Sequence, residues 1–224
     1  MTSLSLNRGM SAPINPRAIL VDLDGTLADS IGVMRTAYRE FLSHYGTAGS
    51  DEEFDRLNGP SLSEIVRLLK IAHSLSAEES VLHNFYAQIV DRVYGSVSTR
   101  AGAYELLREA QSHRCRVCVV TSNSAGRTRR WLDSSGLLKF VDNLVAGEDV
   151  QNGKPHPEPY LLASRLTAIA IGDAIAVEDS SQGAQSAVAA GLRTIVVTPT
   201  PLNDAWPRGV LAVESLHELA AQLW

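Results

Sequence analysis

Apolar residues recur along this chain in two rhythms. At 18–21 four apolar residues run together and meet Asp22-Leu-Asp-Gly-Thr26, the pattern of a buried strand that ends in a polar turn. From residue 31 to about 99 the spacing is helical. Met34, Tyr38, Phe41, Leu42 and Tyr45 fall at intervals of three and four. So do Leu62, Ile65, Val66 and Leu69, and a third stripe holds Val81, Phe85, Ile89, Val93 and Tyr94. Ser76 followed by Glu79 reads as a capping box for that third stripe. Residues 46–50 and the Asn58-Gly-Pro60 turn punctuate the series.

After Gly102 the rhythm alternates. A helix over 102–113 precedes a strand over 116–121, and a helix over 125–135, ended by Gly136, precedes a short strand over 143–146. Pro157 and Pro159 open another helix, since proline is tolerated in a first turn. A strand over 174–177, a helix over 182–190 closed by Gly191 and a strand over 194–197 follow. A last strand is expected over 210–213, then a helix over 216–223. Strand-helix alternation joined to the strand at 18–21 implies an α/β fold: a Rossmann-like parallel sheet with helices on both faces. The core is read as 18–30 and 100–224, with 31–99 an inserted helical cap domain. Residues 1–17 are read as a loose N-terminal tail, with Met10 a second candidate start.

Composition narrows the class. The 224 residues are 45% hydrophobic and 20% charged, an ordinary soluble mix. A net charge of -5 argues against nucleic acid or an anionic membrane as partner. No apolar stretch is long enough to span a bilayer, and the first 17 residues lack the apolar segment of a signal peptide, so a cytoplasmic protein is expected. Cys115 and Cys118 are three apart in a strand pattern and therefore face opposite ways, about 10 Å apart, beyond disulfide reach. A monomer or weak dimer is expected.

Asp22 and Asp24 stand two apart at the carboxyl end of a strand, where open α/β sheets put their ligand sites. Two such close carboxylates repel, and a divalent cation or a shared proton relieves the repulsion. Taken alone, the same residues also suit a plain Asp-Gly turn. The run from Asp22 to Ser30, Asp-Leu-Asp-Gly-Thr-Leu-Ala-Asp-Ser, resembles the first motif of the haloacid dehalogenase-like superfamily, in its phosphoglycolate phosphatase and β-phosphoglucomutase branch. Val119-Val-Thr-Ser-Asn123 is similar to the second motif, Gly153-Lys-Pro-His-Pro157 to the third, and Val177-Glu-Asp-Ser180 with Gly183 to the fourth. All four follow in the family's order.

The resemblance implies a Mg2+-dependent phosphatase acting on a small phosphorylated metabolite. Asp22 would attack phosphorus and carry an aspartyl-phosphate. Asp24 would protonate the leaving oxygen and then take a proton from water. Thr121, with the amides of Ser122 and Asn123, would hold phosphate oxygens, although Thr-Ser-Asn also suits a helix cap. Lys154 would balance the negative charge. Asp22, Asp24 through its main-chain carbonyl, Asp179 and Glu178 would hold the metal.

Neighbouring chemistries fit less well. Dehalogenation needs no second acid, yet Asp24 is present. Schiff-base phosphonate cleavage needs a cap lysine, and Lys70, alone between 31 and 99, lies at the far end of a helix. A β-phosphoglucomutase-like sugar phosphomutase is the main alternative. The resemblance puts Met34 where that pattern has His or Asn and Leu62 where it has Arg, so water is the expected acceptor. A non-enzymatic phosphate-binding relative would lack the helical insertion, as a receiver-type switch does, or would have lost a motif.

Overall fold

The structure is a computed structural model that describes residues 13–224. Met10 and most of the expected tail lie outside the described residues. Residues 13–17 are tied to the body: the Asn15 amide donates to Leu223 O and the Arg17 amide to Asp173 O, each at 2.8 Å.

A six-stranded parallel sheet forms the centre. Its strands are β1 (Ala18–Val21), β2 (Arg116–Val120), β3 (Asn143–Val145), β4 (Ala174–Glu178), β5 (Arg193–Val197) and β6 (Leu211–Val213). They are ordered β3-β2-β1-β4-β5-β6. The chain steps outward from β1 to β3, then returns to lay β4 against the other side of β1. That reversal makes the carboxyl ends of β1 and β4 a topological switch point, the place where such sheets bind ligands.

All four residues of β1 are fully buried, which accounts for the unbroken apolar run at 18–21. Alternate residues serve opposite faces. Ile19, Val21, Val117, Val119, Ile175 and Val177 join one apolar cluster, whereas Ala18, Leu20, Cys118, Val120, Ala174 and Ala176 join the other. Cys115 and Cys118 are free and fall into different clusters, as the two-residue period requires.

The helical block comprises α1 (Ile31–His44), α2 (Asp51–Arg56), α3 (Leu62–Ala72) and α4 (Glu79–Tyr94). Its apolar interior is continuous with the cluster on one sheet face. Helix α2 has no counterpart in the sequence reading. It is six residues long, presents one buried apolar residue, Phe54, and is started by Ser50, whose Oγ accepts the Glu53 amide at 3.1 Å. The capping box expected at Ser76 and Glu79 does not form; Glu78 is the N-cap of α4 and makes no side-chain cap bond. Lys70 Nζ is the physical reason. It donates to Leu75 O at 2.9 Å and also to Ala77 O, holding those carbonyls in a loop instead of a first helical turn.

The remaining helices are α5 (Ala103–Ser112), α6 (Ala125–Ser134), α7 (Glu158–Thr167), α8 (Ser181–Ala189) and α9 (Leu216–Leu223). Two antiparallel connections join block to sheet: Asp29 N donates to Ser98 O at 2.9 Å and Arg100 N to Leu27 O at 2.8 Å. Among the described residues no helix is long and apolar enough to cross a membrane.

Candidate active site

Three adjacent strand ends build the floor of the site. The ladder continues one residue past β1 and β2: Asp22 N donates to Val177 O and Thr121 N to Val145 O, each at 2.9 Å. These bonds fix where both side chains leave the sheet. Beyond Asp22 the chain turns sharply, with Leu23 O accepting the amides of Leu27 at 3.0 Å and Ala28 at 2.8 Å. Gly25 makes the turn possible. Its φ is 86°, and any Cβ there would collide with the Asp179 carboxylate.

The loop lysine expected from the third motif is brought to the centre of this floor. Lys154 Nζ donates to Asp22 Oδ1 at 2.6 Å, to Glu178 Oε1 at 2.5 Å and to Val120 O at 3.0 Å. Burial alone would lower the lysine's pKa, but the Asp22 and Glu178 carboxylates override it and hold the ammonium above its usual range. Glu178 is fully buried and also accepts from Tyr160 Oη at 2.6 Å and Ser180 Oγ at 3.2 Å. Its carboxylate therefore anchors Lys154, a use that its place beside Asp179 did not reveal. Asp179 is partly buried and accepts from Thr26 Oγ1 at 3.1 Å, so the Thr26 hydroxyl ties the first motif to the fourth.

Asp24 points away from this cluster. Its Oδ1 accepts from Tyr94 Oη at 2.7 Å and its Oδ2 from Asn123 Nδ2 at 3.1 Å. Burial, and then the Asp24 charge, raise the Tyr94 phenol far above its ordinary range, so it stays a proton donor. Asn123, expected to contact phosphate, also makes hydrogen bonds within the protein. Its amide donates to Thr121 Oγ1 at 3.0 Å, and its side-chain oxygen accepts from Arg127 Nη1 at 2.6 Å. Asn123 thus positions Asp24. The Ser122 hydroxyl donates to Gly59 O at 2.5 Å, and its amide has no main-chain acceptor among the described residues.

Tyr94, Tyr160 and Arg127 escaped the sequence reading because each belongs to a helix outside the motifs. Tyr94 was legible only as one member of an apolar stripe. Gly183 carried a faint signal: a Cβ there would strike the Glu178 carboxylate.

Above the floor lies a cavity of about 580 Å3 between the sheet edge and the helical block. Asp22, Asp24, Thr121, Ser122 and Asn123 line it together with residues of α1, α3 and α4. The loop 58–61 closes one side, where Gly59 O accepts from the Ser122 hydroxyl and a Cβ on Gly59 would press against Gln182.

The family model described as haloacid dehalogenase-like hydrolase matches residues 19–197, from the second residue of β1 through the end of β5. The chain belongs to the haloacid dehalogenase-like hydrolase family. Among curated relatives it is 29% identical to the 6-phosphogluconate phosphatase of Escherichia coli (strain K12), over 83% of this chain and 84% of that one. It is 28% identical to the phosphorylated carbohydrates phosphatase of Thermotoga maritima, over 84% and 87%. Among solved structures, CbbY from Rhodobacter sphaeroides in complex with phosphate superposes with a TM-score of 0.80 at 26% identity, covering 91% of this chain and 96% of that one. Within the haloacid dehalogenase-like hydrolases this chain is a phosphoric monoester hydrolase.

The donors of this haloacid dehalogenase-like site suit a divalent cation. One oxygen each from Asp22, Glu178 and Asp179 lie within 4.8 Å of one another. Asp22 Oδ2 is buried without any hydrogen-bond partner among the described residues. An orphaned carboxylate oxygen beside further hard oxygen donors is the set that Mg2+ prefers. Burial pushes Asp22 well above the usual carboxylate range; Lys154 opposes this, and Glu178 and Asp179 add to it. Asp179 is pushed up to about 7 by burial and by Glu178. Lys154, and Arg100 at Asp179, oppose these shifts without cancelling them, and a cation held by the three carboxylates would relieve the remaining repulsion.

Proposed function

We propose that this hydrolase is a Mg2+-dependent phosphatase of a small phosphomonoester and works through an aspartyl-phosphate on Asp22. One observation carries the reading: Asp22 presents one oxygen to Lys154 and leaves the other buried and unpartnered, at the floor of a cavity that Asp24 and Thr121 also line.

Asp22 and Asp179 would hold the cation, joined by the Asp24 main-chain carbonyl, with Glu178 behind Lys154. When bound, Mg2+ neutralises phosphate charge and orients a phosphate oxygen. Lys154 favours the ionised form of Asp22 against the effect of burial and adds a second positive charge near the phosphoryl group. The Thr121 hydroxyl and the Ser122 amide hold equatorial oxygens. Asp22 then forms a bond to phosphorus as the ester P–O bond breaks, and Asp24 gives its proton to the leaving oxygen. Water next attacks the acyl phosphate at phosphorus. Asp24 takes back a proton, Asp22 is released, and inorganic phosphate leaves. Tyr94 and Asn123 keep the Asp24 carboxyl aimed through both steps.

Met34 and Leu62 support water over a second sugar as acceptor. Both line the cavity with apolar side chains at the positions where a sugar phosphomutase pattern has polar ones. The test is hydrolysis of p-nitrophenyl phosphate. Turnover should require Mg2+, stop with EDTA and return when Mg2+ is restored; undiminished turnover after thorough metal stripping would remove the cation from this account.

A further inference from the structure

The wall contributed by residues 31–99 is mostly apolar. Ile31, Met34, Phe54, Leu62, Ile65 and Val90 all line the cavity. Ile31, Met34, Leu62 and Ile65 are only partly buried, so the cavity is where their remaining apolar surface is exposed. Much of the polar lining is already engaged within the protein. Arg127 Nε donates to Asp91 Oδ1 at 2.9 Å, Glu148 accepts the Ala125 amide at 2.8 Å, and the Ser61 hydroxyl accepts the Glu64 amide at 3.3 Å. His83, Tyr86, Asn58 and Ser63 add polar side chains at points on an otherwise mainly hydrocarbon lining. A polyhydroxylated leaving group placed against the α1 and α3 side chains would give up water at each hydroxyl that does not reach one of these four groups, which costs about tenfold in affinity for each unpaired hydroxyl. A hydrocarbon leaving group loses nothing of that kind and covers exposed apolar surface.

Resting on the phosphatase reading above, we infer that the preferred substrate is a phosphomonoester of an apolar alcohol, an alkyl or aryl phosphate, and not a sugar phosphate. Asp22, Thr121 and the metal site grip the phosphate end, and the α1, α3 and α4 side chains receive the hydrocarbon.

The test is kcat/KM with Mg2+ for unbranched alkyl phosphates from ethyl to hexyl, beside glucose 6-phosphate and 6-phosphogluconate. All are alkyl esters, so chemical reactivity is closely matched. Each added methylene should raise kcat/KM about threefold, and hexyl phosphate should exceed both sugar phosphates by at least about tenfold. Met34→Asn should lower the hexyl-to-ethyl ratio by about tenfold. A flat or falling alkyl series, with the sugar phosphates turned over faster, overturns this inference and leaves the phosphatase reading standing. No turnover of any ester, p-nitrophenyl phosphate included, defeats the phosphatase reading and this inference with it.

Discussion

Asp24 accepts one hydrogen bond on each carboxylate oxygen, from Tyr94 at 2.7 Å and from Asn123 at 3.1 Å, and the two together fix its direction. Tyr94→Phe should therefore cut kcat by about tenfold, the worth of one hydrogen bond to a charged group, with unfolding free energy changed by no more than about 1 kcal/mol. Steady-state kinetics beside urea unfolding checks both parts. Asp22, Asp24, Thr121 and Asp179 were readable from the sequence because each sits in a short run at one strand end, and Lys154 because its loop carries the Gly153-Lys-Pro155 run. Their partners were not. Tyr94 reaches Asp24 across 70 positions, and its side chain fits an apolar stripe as well as it fits a catalytic support. Glu178 was read with Asp179 as a metal ligand because both acids end the same strand, and only the fold reveals that β4 also turns it inward to Lys154 and Tyr160.

At the scale of elements, the sheet was legible and the helical block less so. Buried parallel strands announce themselves as unbroken apolar runs, and each of the six strands lies where such a run was read. Helix α2 is too short to show a period, and its single apolar anchor, Phe54, carries no pattern. The Ser76 box failed because Lys70, reaching forward from the end of α3, captured the loop carbonyls, a tertiary event with no local signature. The turn after β1 is the element on which most depends. Gly25→Ala places a Cβ against the Asp179 carboxylate at a left-handed φ of 86°. It should abolish Mg2+-dependent turnover and cost about 1–2 kcal/mol of stability, read from denaturant unfolding.

The whole molecule holds under-neutralised charge at the switch point of its sheet, and that has a consequence for stability. Folded Asp179 titrates near 7, above the value of about 3.9 in an unfolded chain. Between those values the folded state keeps a proton that the unfolded state has released, so this group's contribution to stability falls as pH rises from about 4 to 7. The metal-free protein should thus lose stability across that window, and Mg2+ should restore it most at pH 8, where the carboxylates are free to bind. Thermal unfolding at pH 5 and pH 8, with and without Mg2+, reads the crossover; a Mg2+ effect larger at pH 5 would contradict it. The central claim concerns a bond that exists only during turnover. Protein quenched while hydrolysing substrate, reduced with borohydride and digested, should yield a peptide in which residue 22 has become homoserine, and Asp22→Asn should yield none. Sustained phosphate release with residue 22 unmodified would contradict the account.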